Sequence, residues 1–192
     1  MGLSLDQVWA LVRAHSAADG DEAVALARLR LALDAAEDAL SKGCFAPGHV
    51  TCSAFVVSPD GAQLLLIHHR ALDLWIQPGG HVDPADASPE GAALRELWEE
   101  TGATAVLPLF DGLLDVDVHD VPDGLKGQPG HLHLDLRFAF QAQDWAVQAA
   151  SDAYAASWFP LGTLDTVRTD ASVRRAARRL VARLGARAPV ST

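Results

Sequence analysis

The chain has 192 residues, 49% of them hydrophobic, and a formal net charge of −10 at pH 7. That is enough apolar material for one domain with a sizeable core, and no apolar run approaches the length of a membrane span. The acidic balance disfavours nucleic acid, whose binding depends on a basic surface, so neither a membrane nor a nucleic-acid partner is expected. Two cysteines, Cys44 and Cys52, are too few for a disulfide scaffold and have no companions at zinc-ligand spacing. They read as thiols of a reducing cytoplasm, and Met1-Gly2-Leu3-Ser4 lacks the basic-then-apolar start of a signal peptide.

Residues 3–18 and 21–42 are predicted helices. Apolar residues recur at Leu5, Val8, Trp9 and Val12, then at Val24, Leu26, Leu29, Leu33 and Leu40, with Asp19-Gly20-Asp21 as the break. This alanine-rich segment, residues 1–45, is expected to pack on a domain at 46–188, and it is a candidate for a homodimer contact. Residues 49–57 and 63–69 predict a hairpin around Ser58-Pro59-Asp60-Gly61. His68, His69 and Arg70 close it just ahead of Pro78-Gly79-Gly80, which makes His68 and Arg70 candidate phosphate contacts.

The most informative run spans Gly80 to Gly102. Ser88 predicts an N-cap, Pro89 the first helical position and Gly102 the helix end. Within that helix Glu96, Glu99 and Glu100 stand at i, i+3 and i+4 and share one face. Three like charges so close repel unless a cation neutralises them. Carboxylates, a backbone carbonyl and water are hard oxygen ligands suited to Mg²⁺ or Mn²⁺. Leu94, Leu97 and Trp98 are expected to pack inward.

Residues 104–118 predict one or two strands, and 120–130, rich in glycine and proline, a loop. In 131–140, His131, His133, Asp135 and Arg137 alternate with Leu132, Leu134, Leu136 and Phe138. Period two puts the polar set on one face of a strand. Two histidines, an aspartate and an arginine are an unusual wet face, so all four are candidate substrate contacts. A last helix is predicted at about 170–186, with Val173, Ala177, Leu180, Val181 and Leu184 inward. Arg174, Arg175, Arg178, Arg179 and Arg183 are expected on a solvated face.

The run from Gly80 to Ala103 resembles the Nudix box: Gly, five residues, Glu, seven residues, then Arg-Glu-aliphatic-x-Glu-Glu-x-Gly-aliphatic. Gly80, Arg95, Glu96, Leu97, Glu99, Glu100 and Gly102 match it. Asp86 stands at the first Glu, and eight residues separate it from Arg95, so the loop carries one extra residue. Trp75-Ile76-Gln77-Pro78-Gly79-Gly80 resembles the approach to the box, and Trp158-Phe159-Pro160-Leu161 the late strand of such domains.

The resemblance implies an α/β fold, an α/β/α sandwich with a mixed sheet, here with an N-terminal helical extension. It implies a metal-dependent hydrolase acting on a small-molecule diphosphate, a nucleoside diphosphate linked to another moiety. Glu99 and Glu100 would be direct ligands, Glu96 a third ligand or base, Gly80 a carbonyl donor, and Arg95 would orient a glutamate. Asp86 is expected behind the ligands rather than among them. Two other readings compete. An enzyme like isopentenyl-diphosphate isomerase needs a catalytic cysteine in surroundings that Cys44 and Cys52 lack. A non-catalytic nucleotide-binding module would tend to lose the glutamates that are intact here.

Overall fold

The first helix begins at a capping box. In α1 (Leu5–Ala14) the Ser4 hydroxyl accepts from the Gln7 N–H, and the Gln7 side chain accepts from the Ser4 N–H. Helix α2 (Gly20–Ala35) starts on Asp19, which accepts from the Glu22 N–H at 2.8 Å. Both are shorter than predicted, because His15 and Ala36 take extended backbone conformations and residues 37–43 run through bends and turns. The computed structural model describes residues 2–70, 72–150 and 153–187. Met1 and the expected domain end at residue 188 lie outside them.

Among the described residues, eight strands form one mixed sheet. They are β1 (Gly48–Val57), β2 (Gln63–His69), β3 (Leu74–Ile76), β4 (Gly79–His81), β5 (Val106–Pro108), β6 (Asp115–Val121), β7 (His131–Ala142) and β8 (Ala153–Pro160). The predicted hairpin forms around Ser58–Gly61, but its pairing is short. Strands β1 and β2 share only the Val57↔Leu64 register beside the turn. The long partner of β1 is β7, parallel from Gly48↔Leu132 to Val57↔Gln141. Strand β1 is buried throughout, as expected of a central strand covered on both faces.

Two apolar clusters, one on each face of the sheet, make the sandwich. On one face Val8 and Val12 of α1 and Leu26, Leu29 and Leu33 of α2 join Leu97 of α3 (Pro89–Thr101) against Val50, Leu134 and Leu136. On the other, Val173, Ala177 and Leu180 of α4 (Ala171–Arg187) cover Phe55, Val57 and Leu64. The N-terminal helices therefore share a core with the sheet.

Arg178 is exposed as expected, but Arg175, Arg179 and Arg183 of α4 depart from the expected solvated face. Arg175 is buried on Asp115 at 2.9 Å, and the Arg183 guanidinium lies 3.7 Å from the Phe110 ring centroid. Arg179 reaches back to Glu22, which also meets His15 Nε2 at 2.6 Å and accepts from the Ala18 N–H at 2.6 Å. Burial pushes the Glu22 carboxyl up, but the His15 bond, the Ala18 N–H and the Arg179 charge outweigh it, and its pKa lies below the ordinary 4.5. A depressed folded pKa contributes stability that is present above the unfolded value and lost as pH falls through the folded one. Glu22→Gln should therefore cost about 2 kcal/mol at pH 7. That deficit should shrink below about pH 4, measured by urea unfolding across pH.

Candidate active site

Helix α3 is placed by its ends. The Ser88 hydroxyl accepts from the Gly91 N–H at 3.0 Å, Pro89 opens the first turn, and Gly102 closes the helix at φ +68°, where its N–H reaches Trp98 O. Leu97 is buried as expected. Trp98 is not, at 56% exposure, because it projects from the side of the helix away from the sheet.

The acidic face of α3 meets strand β4, which pairs with β1 through Cys52↔Gly80. Glycines permit the close approach. A Cβ added at Gly80 would lie 2.7–2.8 Å from the Glu96 carboxylate atoms, and the Gly79 N–H donates to Glu100 Oε2 at 2.9 Å. Glu100 is 6% exposed, Glu96 partly buried and Glu99 exposed. Burial raises the Glu96 carboxyl, opposed by its bond to Arg95.

Arg95 ties this face together. It donates from Nε and Nη2 to the two Asp86 oxygens at 3.0 and 3.1 Å, from Nη2 to His81 O at 2.7 Å, and from Nη1 to Glu96 at 2.8 Å. Glu99 lies 3.3 Å away. Asp86 is buried, and it also accepts from the Asp83 N–H at 2.7 Å. The longer loop thus folds Asp86 back onto Arg95, within the cradle behind the glutamates. The N-terminal segment braces the same loop, with Leu3 N–H on Asp86 O at 2.7 Å and the Gln7 amide on Ala87 O.

Beside these groups opens a cleft of about 310 Å³. Gly79, Gly80, Glu96 and Glu100 form one wall and Gln77, Thr51, Ser53 and Asp135 the floor, while His81, His119, His133 and Leu125 also line it. Thr51 and Ser53 donate to Asp135 Oδ1 at 3.2 and 2.7 Å, and the Gln77 amide donates to Asp135 Oδ2. The donor set of three carboxylates and a glycine backbone, with one guanidinium among them, fits a hard divalent cation: it is rich in oxygen and carries surplus negative charge.

The four residues of β7 divide. His133 and Asp135 line the cleft. Arg137 does not: at 1% exposure it is spent on Asp135 at 2.8 Å, Asp115 at 3.1 Å and Ser172 Oγ at 2.8 Å. His131 is also internal, its Nδ1 on Pro129 O at 2.7 Å. The expected wet face is therefore divided: β6 and β1 flank it, α4 covers its Arg137 end through Ser172, and His133 and Asp135 open to the cleft. His68 and Arg70 also lie off the cleft. His68 pairs with Asp73 at 3.0 Å and stacks on Trp75, and Arg70 sits over Tyr154. His69, between them, does line it.

Sequence reasoning passed over Thr51, Ser53, Gln77, His49 and His119. The signal that could have found them is register. His119, His133 and His49 form one row across β6, β7 and β1, Asp117, Asp135 and Thr51 the next, and Asp115, Arg137 and Ser53 the third. Burial and the neighbouring imidazoles push His133 down to about 2, so its ring is neutral.

A mixed sheet between helices, with an arginine-tied glutamate helix against a glycine strand, defines the class of domain. The family model described as NUDIX domain matches residues 47–184, and the chain belongs to the Nudix family. Over 58 residues it is 47% identical to a putative 8-oxo-dGTP diphosphatase of Bacillus subtilis, a match covering 30% of this chain and 38% of that protein. Over 75 residues it is 40% identical to an RNA pyrophosphohydrolase of Brucella abortus, covering 39% of each. The chain thus spans 38–39% of the length of these two relatives. The fold is similar to that of an Ap4A hydrolase of C. elegans, with a TM-score of 0.55 at 20% identity, covering 71% of this chain and 98% of that one.

Proposed function

We propose that the chain is a divalent-cation-dependent hydrolase that cleaves the diphosphate linkage of a nucleoside diphosphate joined to a second group. The observation that carries this reading is Glu96 and Glu100 set against the Gly79–Gly80 strand beside an open cleft, with Glu99 next to them on the same helix face at Arg95. Relatives named for 8-oxo-dGTP and for RNA pyrophosphate support a nucleotide substrate. The net charge of −10 favours a free nucleotide over RNA. Two free thiols suit a reducing compartment such as the cytoplasm.

Glu99 and Glu100 would hold Mg²⁺ or Mn²⁺ directly with the Gly80 carbonyl, and Glu96 is the third ligand or the base that takes a water proton. When bound, the cation offsets the diphosphate charge and lowers the pKa of bound water. Arg95 positions the glutamates and does not touch substrate, since its nitrogens are turned to Asp86, Glu96 and His81 O. His133 and Asp135 border the diphosphate, and Gln77, whose buried Oε1 lacks a protein partner, offers an acceptor to a water or a substrate hydroxyl in the cleft.

Cysteine chemistry of the isomerase kind is disfavoured, by burial for Cys52 and by position for the half-buried Cys44, which does not line the cleft. Cys52 is fully buried, which raises its thiol well above the ordinary range. Assaying nucleoside-diphosphate sugars, nucleoside triphosphates, 5′-triphosphorylated RNA and isopentenyl diphosphate with Mg²⁺, with and without EDTA, tests the reading. Nucleotide turnover that EDTA stops is the expected result, and isomerisation, or binding without turnover, would refute it.

Asp86→Asn probes the loop. It weakens the Arg95 cradle without removing a ligand, so it should lower Mg²⁺ affinity about 10- to 100-fold. At saturating Mg²⁺, kcat should fall much less than in Glu99→Gln. Equal losses in the two variants at saturating metal would show that Asp86 binds the cation.

A further inference from the structure

Three imidazoles meet where β1 and β7 begin side by side. His49 and His133 are register partners and His131 is two residues upstream on the same strand, so their side chains share one face. Ring centroids are 4.8 Å apart for His49–His131, 5.1 Å for His49–His133 and 5.2 Å for His131–His133. One ligand atom from each lies within 4.8 Å of the others. His49 is 1% and His131 6% exposed.

Their tautomers follow from their partners. His49 Nδ1 lies 3.0 Å from Cys44 O, and His131 Nδ1 lies 2.7 Å from Pro129 O. A carbonyl only accepts, so each Nδ1 carries a proton and donates it, and in the neutral ring each Nε2 is then a bare lone pair. Both Nε2 atoms are buried without a hydrogen-bond partner. Two unpaired buried acceptors beside a third imidazole are costly as a resting arrangement. The same arrangement is what a metal ligand set needs, because an Nδ1–H held by a carbonyl fixes the ring and its tautomer.

We propose that His49, His131 and His133 bind a borderline divalent transition metal of the Zn²⁺ or Co²⁺ class, at a site separate from the glutamates of α3. Imidazole favours such ions over Mg²⁺, and three nitrogen ligands leave a fourth position for water. In a tetrahedral site with bonds of about 2.0–2.1 Å the nitrogens stand roughly 3.4 Å apart, so the ligand atoms, within 4.8 Å of one another, draw together on binding. Phe45, 5.0 Å from the His131 ring, closes one side. His133 also lines the cleft, and that is the ion's route in.

The test is a Co²⁺ titration of the metal-stripped full chain, without added histidines, in excess Mg²⁺ and read by visible absorption. The site predicts one Co²⁺ per chain, with d–d bands of a nitrogen-rich four- or five-coordinate centre, displaced by Zn²⁺ and not by Mg²⁺. Glu100→Gln should keep the bands. The double variant His49→Gln/His131→Gln should weaken Co²⁺ at least about a hundredfold. Should that variant misfold, His133→Ala, at the partly exposed position, must show the same loss. No bands in the wild type, bands that survive in either folded histidine variant, or bands lost in Glu100→Gln would each overturn the proposal.

Discussion

Glu100→Gln is expected to lower kcat/KM by about three orders of magnitude while leaving the protein folded. The charge stabilisation that a bound cation supplies is worth several kcal/mol, and each 1.36 kcal/mol is tenfold in rate. A neutral amide is a far poorer ligand than a carboxylate, yet its oxygen can still accept from the Gly79 N–H, so the strand contact survives. Removing one of three neighbouring negative charges should not destabilise the metal-free protein. Melting temperature with and without Mg²⁺ separates the two effects, because an ion that binds only the folded state raises it. The wild type should gain stability from Mg²⁺ and the variant little. An equal gain in both would remove Glu100 from the ligand set.

Arg137→Leu is expected to be the most destabilising single change considered. The guanidinium stands 2.8 Å from Asp135, 3.1 Å from Asp115 and 3.4 Å from Asp117, and it is 1% exposed. Without it, Asp135 keeps only the hydroxyls of Thr51 and Ser53 and the Gln77 amide, while Asp115 and Asp117 share Arg175. Breaking a buried pair by removing one partner costs about 3–5 kcal/mol, which lowers Tm by roughly 10 °C in a chain of this size. The pH dependence has a definite sign. Burial opposes ionisation of Asp117, but His119 and Arg137 outweigh it and hold its carboxyl well below the usual range. That contribution is present above the unfolded carboxylate value of about 3.9 and is lost as pH falls. The gap between wild type and Arg137→Leu should therefore be widest near pH 7 and narrow towards pH 3, as seen by calorimetry. A gap independent of pH would show that Arg137 acts by packing alone.

What could be read before the fold was seen divides along local and non-local lines. The α3 helix was legible because its signals are local: Ser88, Pro89 and Gly102 mark its ends, and the spacing of Glu96, Glu99 and Glu100 sets their common face. The family resemblance rests on those same residues. The polar face of β7 was legible as an alternation, but alternation does not say which strands flank it. Only the register with β6 and β1 shows that Arg137 faces three aspartates and that His133 stands in a row of histidines. His68 and Arg70 stood near the Pro-Gly-Gly turn in sequence, yet Asp73, Trp75 and Tyr154 hold them off the cleft. Arg175 and Arg179 looked like part of a solvated face because their partners, Asp115 and Glu22, are 60 and 157 residues away in the chain.

The most direct test of the central claim is hydrolysis in ¹⁸O-labelled water, with the products weighed by mass spectrometry. The substrate is whichever nucleoside diphosphate derivative the Mg²⁺ assay turns over. If the α3 glutamates support attack of water on a diphosphate, the wild type should place one ¹⁸O on one of the two phosphate products in the presence of Mg²⁺. Little product should form with EDTA or in Glu100→Gln. Cleavage without label in either phosphate, or labelled cleavage that persists undiminished in Glu100→Gln and in EDTA, would contradict the account.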